Sequence, residues 1–198
     1  MFFYDISRDL TTTPPYHGDR ATSIIRVANI GMESHYNISE IHCNAHSATH
    51  IDAPMHSLRT GKDVSQLDLS IFYGECSVIS IQGVLTGEHM DKILPYCKKR
   101  VLLHGDGKAF ISSTAVDSLV NHGVLLVGTD ADSIGADFEE EKVHYQLLRS
   151  DIVILENLNL SSIKDGVYLL NAFPIKITGC ESAPCRAVLI EGEKAFIF

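Results

Sequence analysis

Two hydrophobic textures divide the chain. Up to about residue 85 the apolar positions come in short, strand-like runs separated by turns: "SIIRVANIG" (23–31), "YNISEIHCNA" (36–45) and "ECSVISIQG" (75–83). Beyond residue 90 the pattern lengthens. "MDKILPYCKK" (90–99) reads as a short helix that Pro95 opposes. "RVLLHGDG" (100–107) is a buried strand ending in a glycine turn. "SSTAVDSLVNHG" (112–123) has hydroxyl residues at its start, helical apolar spacing and a terminal Gly, so a helix is expected there. "VLLVGTDAD" (124–132) is a second buried strand. "FEEEKVHYQLLRSD" (138–151) is a helix with acids early and Arg149 late, as the macrodipole favours. "IVILEN" (152–157), "VYLLNAFP" (167–174) and "CRAVLIEG" (185–192) follow as strands. The alternation of strand and helix in the second half implies a sheet with helices packed on it, and the strand-rich first half is expected to supply a second layer. No repeat or linker interrupts residues 1–198, so a single mixed α/β domain is expected.

Composition narrows the partners. Apolar residues make up 45% and charged residues 21%, as in an ordinary globular protein, and the formal net charge is −9. No Lys/Arg cluster marks a nucleic-acid surface, and no apolar run approaches the roughly 18 residues of a membrane span. The N-terminal "MFFYDISRDL" does not read as a secretory signal. The five cysteines are odd in number and contain no CxxC; Cys180 and Cys185 are the nearest pair. They read as free thiols in a reducing cytoplasm, with a disulfide or metal clip as the alternative.

The candidate chemistry sits in "HSATHIDAPMH" (46–56). His46, His50, Asp52 and His56 are all even-numbered, so an extended chain presents them on one face. On a helix, Asp52 and His56 would lie roughly 240° and 280° round from His46. Pro54 is expected to end the strand and leave His56 on a turn. Imidazole and carboxylate together suit Zn²⁺, and also Mn²⁺ or Fe²⁺. Chance clustering among ten histidines, or a metal-free His/Asp acid–base site, fits the same residues. Three ligands on one segment rarely complete a site, so further ligands must come from elsewhere in the chain. Glu156 ends a buried strand, where an unpaired acid is costly, though it could equally turn out to solvent. His144 lies within the expected helix, where a partly buried structural histidine is the plain alternative. Asp130 and Asp132 follow a buried strand, where α/β proteins place sites, or else serve turn chemistry.

The pattern H-x-x-T-H-x-D-x-P-x-H resembles the signature of the cyclase-like metal-dependent hydrolases, which include bacterial kynurenine formamidase. "TTTPPYHGD", "VGTDADSI" and "VHYQLL…IVILENLNL" are similar to further stretches of that family, so the resemblance covers about residues 5–190. It implies a swivelling β/β/α fold with a mixed sheet, a homodimer, and a centre of two metal ions, most often zinc. Carried over, His46, His50 and Asp52 would hold the first ion, and Asp52 would bridge to a second held by His144 and Glu156. His56 would be the catalytic histidine, and Tyr16 would stand where formamidases carry a substrate-facing tryptophan. The implied reaction on a small-molecule substrate is metal-dependent cleavage of an amide C–N bond, as in an N-formyl arylamine. Isatin-type opening of a lactam or lactone, and a non-catalytic metal- or ligand-binding module, are the alternatives. Five positions depart from the family pattern. Ala48 replaces a usual Gly, and a positive φ there would strain alanine by roughly 1 kcal/mol. Tyr16-His17 replaces Trp-Pro, Asp132 replaces a proline, and Gly135 replaces an aspartate.

Overall fold

The computed structural model describes residues 1–31 and 34–192. A nine-stranded mixed sheet runs in the order β1 (Phe2–Asp5), β13 (Val188–Glu191), β11 (Gly166–Asn171), β5 (Tyr73–Ser80), β7 (Arg100–His104), β9 (Leu126–Thr129), β10 (Val153–Glu156), β4 (His50–Asp52) and β12 (Ser182–Pro184). Neighbours from β5 to β10 are parallel and the outer pairs antiparallel. The parallel strands are covered on both faces, which is why 101–103, 126–127 and 153–155 read as continuous apolar runs. Alternation then divides them. Val101, Leu103, Val127 and Ile154 pack against three helices, α1 (Gly87–Ile93), α2 (Ser113–Asn121) and α3 (Glu140–Arg149), through Met90, Leu119, Val143 and Leu147. Leu102, Leu126, Val153 and Leu155 face a second core with Phe72 and Ile6. Leu189 of β13, Leu170 of β11, Ile51 of β4 and Ala183 of β12 all enter this second core. The two ends of the sheet therefore curl round one apolar interior.

The expected strand–helix–strand–helix–strand order is present as β7, α2, β9, α3 and β10. Three expectations shift. The helix expected over 90–99 begins earlier, behind Thr86, and Pro95 opens a separate 3-10 turn (Leu94–Tyr96) instead of breaking α1. The run 75–83 divides into β5 and β6 (Gly83–Leu85), the latter paired with β8 (Ala109–Ile111). The first-half strands do not build a second layer. β5 joins the main sheet, while among the described residues β2 (Ser23–Ala28) and β3 (Ile38–His42) pair only with each other and leave Ile24, Ile25, Val27, Ile38 and Ile41 exposed. Alternation signals a strand, but not what will cover it.

Candidate metal centre

The site forms where β4 is clasped between β10 and β12. The register pairs Glu156 with His50 and Ile154 with Asp52. Residues opposite one another in a sheet share a face, so Glu156, His50 and Asp52 point together towards the helix side. Ile51, Leu155 and Ala183 point into the opposite core. From the helix side α3 sends in His144.

Two turns complete the group. Ahead of β4 the Asn44 side chain accepts the His46 amide at 2.9 Å, and Ala48 takes φ +53°. After β4, Pro54–His56 is a 3-10 turn with Pro at its start. Gly61 closes on that turn, and a Cβ there would lie 2.4 Å from the Pro54 carbonyl carbon. The regular strand thus spans only His50–Asp52. Alternation accounts for those two residues sharing a face, whereas His46 and His56 are folded back onto it by turns.

The distances are short. His46 Nδ1 lies 3.0 Å from Asp52 Oδ1. His50 Nε2 lies 3.5 Å from Asp52 Oδ1 and 3.3 Å from Glu156 Oε2. His144 Nε2 lies 3.1 Å from Glu156 Oε1 and 3.9 Å from Asp52 Oδ2. The His56 ring stacks at 4.5 Å from His46 and 5.6 Å from His144, at the solvent edge of the group. Two triads have ligand-type atoms within 4.8 Å of one another, His46–Asp52–His56 and His50–Asp52–Glu156, and Asp52 belongs to both.

His144 Nε2 and Glu156 Oε1 form a hydrogen bond, but other buried donors and acceptors here are close without pairing. His50 Nε2 and both oxygens of Asp52 are buried and have no hydrogen-bond partner among the described residues. Leaving such groups unsatisfied costs several kcal/mol, of order 1–3 each and more when charged. Their spacing and chemistry fit a divalent cation, which takes imidazole nitrogen and carboxylate oxygen together. The other imidazole nitrogens are already used: His50 Nδ1 meets the Ala48 carbonyl at 2.8 Å and His144 Nδ1 meets the Glu140 carbonyl at 2.9 Å. That leaves both Nε2 atoms directed inward.

The electrostatics agree. Burial alone would lower the pKa of His50, but the Asp52 and Glu156 carboxylates overcome it and hold the pKa at about 9. His144 is likewise held at about 9 against its burial, chiefly by Glu156. Asp52 and Glu156 are both lowered although burial opposes it, Asp52 mainly by His50 and Glu156 mainly by His144. His56 moves the other way: crowding by protein lowers its pKa, and His46 and His144 push in the same direction against Asp52.

A cleft of about 260 Å³ opens onto these residues, lined also by Tyr16, Asp19, Asn44, Asp132 and Glu140. The Tyr16 hydroxyl donates to Glu140 Oε2 at 2.9 Å; burial first, and this bond second, push its pKa up to about 12. A larger depression of about 590 Å³ lies behind Ala48 and Thr49, but the titratable groups lining it include Asp5 and Arg186, which are paired with each other. Every residue expected at the site, His46, His50, Asp52, His56, His144, Glu156 and Tyr16, lines the smaller cleft. Asp132 does too, whereas Asp130 is buried with its carboxylate accepting the Gly105 amide at 3.0 Å, as turn chemistry. Sequence reasoning missed Asn44, and it missed Glu181, whose Oε1 lies 3.3 Å from His46 Nε2. The pairing of β12 with β4 brings Glu181 here; Cys180 and Cys185, expected as free thiols or else as a disulfide or metal clip, are free.

Comparison with known proteins gives a consistent result. A family model described as "Putative cyclase" matches residues 4–136. Kynurenine formamidase of Erythrobacter litoralis is 34% identical over 204 aligned positions, covering 95% of this chain and 93% of that protein. Kynurenine formamidase of Salinibacter ruber is 32% identical, covering 96% and 97%. Among solved structures, a potential metal-dependent hydrolase with cyclase activity superposes with a TM-score of 0.83 at 23% identity, covering 97% of this chain and 98% of the other. Isatin hydrolase A from Labrenzia aggregata superposes at 0.79 with 19% identity, covering 97% and 94%, a likeness of fold.

Proposed function

The chain belongs to the cyclase family of metal-dependent hydrolases, and from that premise we propose that it hydrolyses the amide of an N-formyl arylamine such as N-formylkynurenine. The observation that carries this reading is Asp52, shared by two ligand triads with both oxygens buried and unpartnered. His46, His50 and Asp52 would hold one ion, and Asp52, His144 and Glu156 a second. Zinc suits this mixture of nitrogen and oxygen donors best, with manganese the alternative. When bound, such cations supply Lewis acidity, which brings the pKa of water towards neutrality and polarises a carbonyl group.

The chain's own residues do the rest. His56 stands at the edge of the group with its pKa lowered, so it is neutral near pH 7 and able to accept a proton. It takes a proton from the water that adds to the formyl carbon. As the C–N bond breaks it passes that proton to the departing nitrogen, and formate and the arylamine leave. Tyr16, anchored through Glu140, flanks the cleft and offers its ring to an aryl group. His50, Asp52, Glu156 and His144 stay on strands and a helix, which keeps them rigid, while His46 and His56 sit on turns and Tyr16 on a loop at the opening.

The proposal extends to one domain over residues 1–198, acting in the reducing cytoplasm as a homodimer. The five free cysteines support the compartment, and the apolar hairpin β2–β3 supports the dimer. Among the described residues no helix is long and apolar enough to cross a membrane.

The test is metal content and turnover of chain loaded with Zn²⁺ or Mn²⁺. About two ions per chain are expected, with turnover of N-formyl arylamines that a chelator abolishes. Faster turnover of cyclic amides would make the protein a ring-opening hydrolase. One tightly held ion with no turnover of either class would make it a binding module.

A further inference from the structure

Each of the three inner imidazoles has a partner on its outward nitrogen. For His50 it is the Ala48 carbonyl and for His144 the Glu140 carbonyl, both on Nδ1. His46 is mounted the other way round. Its Nδ1 faces Asp52 at 3.0 Å, and the outward Nε2 meets no carbonyl but the Glu181 carboxylate at 3.3 Å. We propose that Glu181 is the positioning residue of the centre: it holds His46 with Nδ1 directed at Asp52, so that His46 is available as a ligand. This inference rests on the metal-centre reading above.

The position of Glu181 is built. Its carbonyl accepts the Ala53 amide at 2.9 Å, directly after β4. The next residue, Ser182, lies opposite Asp52 in the sheet and donates its hydroxyl to the Ile51 carbonyl at 2.8 Å. On the other side, Asp63 accepts the Gly179 amide at 2.8 Å and Val64 donates to the Cys180 carbonyl at 2.9 Å. The backbone on both sides of Glu181 is thus pinned to the segment that carries the site. His46 needs such a hold more than its partners do. It sits on a turn, not in β4 or α3, and its side chain is 20% exposed, against 2% for His50 and 6% for His144. Without a partner on Nε2 the ring is free to rotate about its side-chain torsions, and Nδ1 leaves Asp52. An outer carboxylate of this kind fixes both ring orientation and tautomer, and its loss typically weakens metal binding 10–100-fold.

The experiment measures Zn²⁺ affinity by chelator competition for the wild-type chain, Glu181→Ala and Glu181→Gln, with the thermal midpoint of each metal-free protein alongside. Glu181→Ala is expected to lose about 10–100-fold in affinity while its metal-free midpoint stays at the wild-type value. Glu181→Gln keeps an acceptor oxygen for Nε2–H and is expected to recover most of the loss. If Glu181→Ala fails to fold, the near-isosteric Glu181→Gln together with Glu181→Asp decides: affinity loss in the shortened Asp variant alone supports the role. A Glu181→Ala chain that binds Zn²⁺ within twofold of wild type overturns the inference alone. A wild-type chain that binds no Zn²⁺ overturns the metal-centre reading and this inference with it.

Discussion

The Nδ1 atom of His50 lies 2.8 Å from the carbonyl oxygen of Ala48, and Ala48 reaches that geometry with φ at +53°. The left-handed backbone turns a carbonyl onto a ring two residues ahead and leaves Nε2 facing the centre. Glycine would adopt this conformation freely, whereas alanine is strained there by roughly 1 kcal/mol or more. Replacing Ala48 with Gly is therefore expected to raise stability by about 0.5–1 kcal/mol, the relieved strain less the extra freedom glycine brings to the unfolded chain. Replacing it with Val, whose branched side chain tolerates positive φ worst, should destabilise by about 2 kcal/mol or more and lower metal content. Urea unfolding of the metal-free variants measures both, and a less stable Gly variant would show that strain at Ala48 is not the governing effect.

His56 is grouped with His46 and Asp52 by distance, but it is the exposed member and sits on a 3-10 turn. A ligand and a proton carrier respond differently to truncation. His56→Ala is expected to retain both ions and to lose a hundredfold or more in turnover. Metal analysis and steady-state kinetics on one preparation separate the two roles, since a ligand's loss would appear as missing metal.

The fold and the site were legible to different depths. The parallel strands declared themselves because burial on both faces writes continuous apolar runs, and α2 and α3 because amphipathic spacing and end signals agree. His50 and Asp52 were legible as a same-face pair because β4 is a strand, and His46 and His56 appeared beside them although turns put them there. His144 and Glu156 stood out as candidates, a helix histidine and an acid at a buried strand end, but only the resemblance chose between ligand and structural roles, since no local pattern says which of them meets a distant segment. Glu181 was not legible at all: it depends on β12 pairing with β4 across most of the chain. The exposed faces of β2 and β3 likewise follow from non-local packing that alternation does not encode.

Metal binding should be coupled to pH in a defined direction. In the metal-free chain His50 and His144 have pKa values of about 9, well above the ordinary 6.5, because Asp52 and Glu156 outweigh their burial. At pH 7 both rings therefore carry a proton that a divalent cation must displace from Nε2. Binding at pH 7 is expected to release about two protons, falling towards zero above roughly pH 10. Affinity should rise steadily from pH 7 to 9. The sign reverses for the metal-free fold: its stabilisation by these raised groups is complete below about pH 6.5 and is lost as pH rises through 9. Calorimetry in buffers of different ionisation enthalpy counts the protons, and release of none at pH 7 would rule out the protonated pair.

The hairpin predicts how the protein assembles. Ile24 of β2 lies directly opposite Ile41 of β3, and they are 52% and 60% exposed. Ile25, Val27 and Ile38 leave both faces of the two-stranded sheet apolar and uncovered. A two-stranded sheet has little stability by itself, and apolar patches of this kind usually meet a partner. With a second copy as that partner, the wild-type chain is expected to sediment as a dimer. Placing Lys at both Ile24 and Ile41 sets like charges opposite each other on the patch and should shift the protein to monomer, while the helix and strand content of the main sheet stays unchanged. Sedimentation velocity with circular dichroism reads both quantities. A double variant that remains as dimeric as the wild type would place the interface elsewhere on the molecule, and a wild-type monomer would leave the hairpin without the partner proposed for it.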